Sequence, residues 1–174
     1  MRRFVSAVPL TLACIVPPSA TADEEPVRAV QKVDLNRYMG TWYEIANFPR
    51  FFLPKCEADT VSEYTANSDG TIAIKSRCRT RDGGIDEEHG TARPMKDSDN
   101  TRLEVTFIRP FTANYVVVGL DPDYRWTVVG SVNRKSLWIL SRTPTLPKSE
   151  LDQALAVAGA QGYPMRNLHY TPQD

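Results

Sequence analysis

Apolar and polar side chains alternate along much of this chain with a period of two. In "RLEVTFI", Leu103, Val105 and Phe107 fall on one side and Glu104 and Thr106 on the other. "TIAIKSRC" sets Ile72, Ile74 and Ser76 against Ala73, Lys75 and Arg77. Successive side chains of an extended strand point to opposite faces, so this alternation marks half-buried β-structure. Eight such segments follow one another, at about 41–47, 57–66, 71–78, 85–93, 102–108, 115–120, 125–130 and 136–142. Turn-forming residues separate them: "NSDG" at 67–70 reads as a tight hairpin, "RPMKDSDN" and "LDPDY" as further turns. Short antiparallel strands in such a row predict a sandwich or an up-and-down barrel.

The period then changes. "PKSELDQALAVAGAQGYP" places Leu151, Leu155 and Ala158 at helical spacing, with Ser149 as the predicted N-cap and Gly162 and Pro164 as the stop. The preceding "SLWILSR" is apolar on both faces, as a strand with one face inward and the other under this helix must be. "RNLHYTP" adds a short edge strand at the end.

The beginning of the chain has the pattern of an export signal. Arg2 and Arg3 precede an apolar run from Phe4 to Val16, and an A-x-A site ends at Ala22. That run is too short to span a bilayer as a helix. A competing reading takes "LTLAC" as a lipidation site at Cys14, although Thr11 stands where an aliphatic residue belongs. Either route exports the chain to the periplasm or outside, the second leaving it anchored in the outer membrane. The resulting division is a signal segment 1–22, a flexible segment 23–32 and one domain from 33 to 174.

Export changes the reading of the cysteines. Cys56 and Cys78 form an even pair in an oxidising compartment, which predicts a disulfide rather than two free thiols. No C-x-x-C occurs, and His89 and His169 stand far apart, so no metal site and no cofactor are predicted. The whole chain holds 21 basic and 21 acidic residues; losing 1–22 removes Arg2 and Arg3 and no acid, which leaves 19 against 21. Nothing in that balance recruits nucleic acid.

Three stretches carry a resemblance to a known family. "VDLNRYMGTWYEIANFP" resembles the lipocalin opening, a helical turn leading to G-x-W; "GLDPDYRW" is similar to the second lipocalin motif, and "LWILSRTP" to the third. They occur in order, and the wording is closest to the bacterial outer-membrane, plant temperature-induced and apolipoprotein D branch. Leu120 departs from the Thr that many members carry there. The resemblance implies an all-β fold, an eight-stranded antiparallel up-and-down barrel with one C-terminal α-helix packed outside. It also implies a closed end, an open end and a small apolar ligand. Eight strands leave room for one such ligand, and closure removes exposed strand edges.

Residue roles follow from placing Gly40 and Trp42 at the closed end. Arg142 is then predicted to stack on Trp42, with Asp121 and Tyr124 in the adjoining turn and Gly40 admitting a close backbone approach. Alternation carries Trp138 and Leu140 inward with Arg142, and Ser62, Tyr64, Ile74, Val105 and Phe107 by the same rule. The register of "YVVVGL" is ambiguous; the family pattern favours Tyr115 and Val117 inward, and Phe52 is placed on an apolar lip. These residues either line a cavity or fill an ordinary core, and small inward Ser62, Ser76 and Ala92 favour the cavity. Loops at the mouth carry Arg50, Lys55, Arg79, Arg81, Arg109, Arg134 and Lys135 against Asp82 alone. A basic mouth predicts an anionic head group or contact with an anionic membrane surface. Three functions compete: a carrier of a fatty acid or lysophospholipid in the envelope, a partner-binding envelope protein, and an enzyme on the same barrel. Catalysis needs a nucleophile with a positioned base, and neither histidine has an evident partner.

Overall fold

A computed structural model describes residues 25–49 and 56–174. The signal segment with Cys14, and the loop bearing Arg50, Phe52 and Lys55, lie outside the described residues. A one-turn helix α1 (Leu35–Tyr38) leads into β1 (Gly40–Asn47). Then come β2 (Cys56–Ala66), β3 (Ile72–Thr80), β4 (Ile85–Pro94), β5 (Arg102–Thr106), β6 (Ala113–Leu120), β7 (Trp126–Gly130) and β8 (Leu137–Ser141). Helix α2 (Lys148–Ala160) and a two-residue β9 (His169–Tyr170) follow.

From β1 to β8 each strand pairs antiparallel with the next, and β1 closes the ring by pairing with both β8 and β2. The β1–β2 ladder runs only from Gly40↔Tyr64 to Tyr43↔Val61, after which the two strands part. The 169–174 segment fills the seam. β9 pairs with β1 at Ala46↔Tyr170, and the Asp59 N–H donates to the Pro172 carbonyl at 2.8 Å. The Gln173 amide donates across the gap to the Glu44 and Thr60 carbonyls at 2.8 and 3.0 Å. Backbone groups left unpaired by the splayed strands are satisfied in this way.

Alternation along β6 and β8 divides the apolar residues between two cores. Tyr115 and Val117 face the barrel interior, while Val116 and Val118 face α2. Leu137 and Ile139 likewise lie under the helix, and Trp138 and Leu140 point inside. Helix α2 presents Ala154 and Ala158 as its buried face, so its axis comes close to the sheet. The approach is so tight that a Cβ on Gly119 would stand 2.8 Å from Val157 Cγ1.

Two expectations about this region are corrected. Ser149 is not the N-cap: Pro147 is, its carbonyl accepting from the Glu150 and Leu151 N–H groups at 2.9 and 3.0 Å, so Ser149 falls inside the helix. Nor is the segment before residue 33 loose over its described part. Val27 is buried in the outer core, the Val30 N–H donates to the Val117 carbonyl at 2.9 Å, and the Gln161 side chain bonds both backbone groups of Arg28. Apolar burial and backbone pairing together hold it as a strap across the barrel.

Candidate functional site

The closed end is built around Trp42, which has no exposed surface and donates its indole N–H to the Tyr38 carbonyl at 2.8 Å. Arg142 covers the indole with its guanidinium carbon 3.8 Å from the ring centre. Its nitrogens donate to the carbonyls of Thr41 (2.9 Å), Arg37 (2.6 Å) and Tyr124 (3.3 Å), tying α1, β1 and the β6–β7 turn into one lid. Burial lowers the Arg142 pKa from its ordinary value, yet a guanidinium stays charged. Tyr124 has φ +61°; its hydroxyl accepts from the Asp34 N–H at 2.9 Å, and Arg37 lies 4.2 Å over its ring. Asp121, 3% exposed, accepts from Arg125 Nη2 and Nε at 2.8 and 3.0 Å and from the Asp123 and Arg125 N–H groups. Those Arg125 side-chain bonds first, and the backbone donors after them, hold its carboxyl below the usual range. Gly40 is needed for a different reason than close approach. A Cβ there would meet only Arg142 Nη1 at an ordinary 3.5 Å, but φ is +93°, which L side chains rarely adopt.

Above this lid lies a cavity of about 150 Å³ inside the barrel. Tyr64, Ile74, Val105, Tyr115 and Leu140 line its apolar part, joined by Phe107 and Trp138. Phe107 reaches over Gly90, where a Cβ would stand 2.8 Å from the ring. Ser62 and Ser76 meet across β2 and β3 with hydroxyls 2.7 Å apart. Val117, predicted to line the site, does not: it packs lower, in the closed-end core, because alternation fixes a side and not a depth. The disulfide between Cys56 and Cys78 is present, Cα atoms 5.4 Å apart, and both residues border the cavity.

Three acidic side chains also line the cavity: Glu44, Asp86 and Glu88. Asp86 and Glu88 continue the inward face of β4, four and two residues before Gly90, so counting back by twos from Ala92 locates them in the sequence alone. Glu44 Oε1 accepts from Asn47 Nδ2 at 2.5 Å and Thr171 Oγ1 at 2.6 Å.

The predicted basic mouth is thinner than the loop count implied. Arg79 is turned to the outer wall, where Nε donates to Asp59 at 2.7 Å and Nη2 bonds Asp174; this pairing holds Asp59 below its ordinary pKa. Arg134 donates to the Gln161 carbonyl at 2.6 Å and to the Glu25 carbonyl, strapping the end of α2. Arg81 stands 3.8 Å from Glu57 and is 91% exposed; Arg109 is exposed as well. At this end the loops expose large apolar side chains that periodicity does not single out, Ile108 (61%), Phe111 (73%) and Val132 (45%), and Ile85 at the start of β4 is exposed as well (69%). Both histidines lie outside the cavity, His89 beside Glu87 at 3.0 Å and His169 on β9.

Comparison with known proteins adds the following. A family model described as a lipocalin-like domain matches residues 33–173. The chain is 38% identical to temperature-induced lipocalin-1 of Arabidopsis thaliana over 160 residues, which covers 87% of this chain and 85% of that one. It is 34% identical to the outer membrane lipoprotein Blc of Citrobacter freundii over 170 residues, 97% and 93% of the two chains. Among solved structures, lobster apocrustacyanin A1 superposes with a TM-score of 0.67 over 88% of this chain and 94% of that one, at 18% identity.

Proposed function

The chain belongs to the lipocalin family, whose members bind small hydrophobic ligands, and from that premise we propose that it carries a single-chain amphipathic lipid in the cell envelope. The observation that carries this reading is the division of the cavity lining into a largely apolar lower part and a charged upper wall. A cavity of about 150 Å³ takes a group the size of benzene, so about five methylenes fit within it and give about 4 kcal/mol gross, on the scale of millimolar affinity, before the rest of the tail and the head group add contacts at the mouth.

The charges favour a lysophospholipid over a free fatty acid. Glu44, Asp86 and Glu88 attract the ammonium of a zwitterionic head group and repel a bare carboxylate, while exposed Arg81, Arg109 and Lys135 in the mouth loops offer cations to its phosphate. A bare carboxylate gains the second attraction and loses to the first. Exposed Ile85, Ile108, Phe111 and Val132 among cations suit the same end to an anionic bilayer surface, where the apolar tips enter and the cations meet head groups. Export by the 1–22 segment, a disulfide, and relatives named as outer membrane lipoproteins support an envelope location. In the alternative in which Cys14 is lipidated rather than removed with the 1–22 segment, that lipid is the anchor.

Titration with lauroyl lysophosphatidylethanolamine and with laurate, followed by tryptophan fluorescence, tests the reading. The lysophospholipid is expected to bind at least several-fold more tightly at moderate salt. Equal or tighter binding of laurate sinks the head-group assignment, and saturation by neither sinks the carrier itself.

A further inference from the structure

Under the cavity runs a row of buried hydroxyls that the ligand reading leaves unused. Tyr64 and Tyr115 line the cavity, and Tyr38 and Thr127 lie buried beyond them. Tyr64 Oη is 3.3 Å from Tyr115 Oη, which is 2.8 Å from Tyr38 Oη. Tyr38 Oη lies 3.5 Å from Thr127 Oγ1, and Thr127 Oγ1 donates to the Gly119 carbonyl at 2.9 Å.

The direction of every proton in this row is set by its last member. A backbone carbonyl has no proton to give, so Thr127 is the donor there. A hydroxyl has one proton; with it committed, Thr127 can only accept from Tyr38. Tyr38 therefore accepts from Tyr115, and Tyr115 from Tyr64. The phenols stay neutral, since burial pushes Tyr64 up to about 12 and raises Tyr38 and Tyr115 further. All the protons point away from the ligand.

We infer that the floor of the cavity is an acceptor-only surface. It receives hydrocarbon, or a ligand end that donates a hydrogen bond such as a hydroxyl, and it rejects a carbonyl or carboxylate. Among the described residues neither nearby cation relieves that rejection: the Arg142 guanidinium is committed to three carbonyls and the face of Trp42, and Arg77, which also borders the cavity, falls between inward Ser76 and Cys78 and so on the outer side of β3. Glu44 adds its negative field at Tyr64. A fatty acid or lysophospholipid therefore enters tail first, and the floor reads what is on the last carbon of the tail. Thr127 is a positioning residue in this scheme, acting through three tyrosines on a ligand it never touches.

The inference rests on the carrier reading, and one experiment separates the two. The probes are laurate, laurate with a hydroxyl on its last carbon, and laurate with a methyl ketone at that end. The native protein is expected to bind the hydroxyl form about fivefold more tightly than the ketone, the worth of one hydrogen bond in a buried site. Thr127→Val removes the acceptor at the foot of the row, so the protons reverse toward the cavity and the preference inverts to the ketone. Thr127→Ser keeps the order of the native protein, and Tyr38→Phe, which cuts the row elsewhere, inverts it as the valine does. Equal affinities in the native protein, or an unchanged order in both folded variants, overturn the inference while leaving the carrier intact. Failure of all three probes to bind overturns both.

Discussion

Arg142→Ala tests whether the closed end is held as its geometry implies. The native guanidinium makes one stacking contact and three charge-assisted hydrogen bonds. The cation–π contact on a buried indole contributes about 1–2 kcal/mol. Thr41 and Arg37 are exposed, so water replaces the lost donor there and each bond contributes about 0.5 kcal/mol, against about 1 kcal/mol at half-buried Tyr124. The expected loss is about 3 kcal/mol, or a fall of about 6–12 °C in Tm for a domain of this size. Arg142→Lys keeps a charge over the ring but not the planar fork, and should lose about 2 kcal/mol. Urea unfolding followed by tryptophan fluorescence measures both, with m unchanged if only stability is altered. Lipid affinity of the still-folded variants should stay within twofold of native, because the cavity lies above Trp42. A loss under about 0.5 kcal/mol for the alanine, or a lysine variant as stable as native, refutes the argument.

Two further outcomes follow from particular residues. The Asp121 carboxyl is depressed below about 3.9 in the fold, so its stabilisation is whole above about pH 4 and is lost as pH falls through the folded value. Asp121→Asn should thus be less stable at neutral pH and lose less on acidification; an acid limb parallel to native over pH 2–4 contradicts this. Gly90→Val drives the Phe107 ring into the cavity, since even a Cβ stands 2.8 Å from it. Displacing about two ligand methylenes weakens binding roughly tenfold, and unchanged affinity by the same fluorescence titration would show that the ring has another way to move.

Strand positions and the Cys56–Cys78 bond could be read directly from the sequence, because alternation and turn chemistry are local and antiparallel pairing carries the 67–70 turn up to the cysteines; closure into a barrel rather than a sandwich came from the three motifs of the family resemblance. The same period of two placed seven of the predicted ligand contacts, Ser62, Tyr64, Ile74, Val105, Phe107, Trp138 and Leu140, on the inward side, while the family pattern chose the side for β6. Neither stated a height, so Val117 and Tyr115, two residues apart on one face, ended in different roles. Charge in loops was less legible still. Arg79 and Arg134 sit in segments that point toward the mouth, yet Asp174 and Gln161, remote in sequence, draw them to the outer wall. Only the closed barrel brings Tyr64, Tyr115, Tyr38 and Thr127, from β2, β6, α1 and β7, within hydrogen-bonding reach. Periodicity is a property of neighbours along the chain, and it decided what faces in; depth, ion pairing and the sense of a hydrogen-bonded row depend on contacts that exist only after the ring has closed.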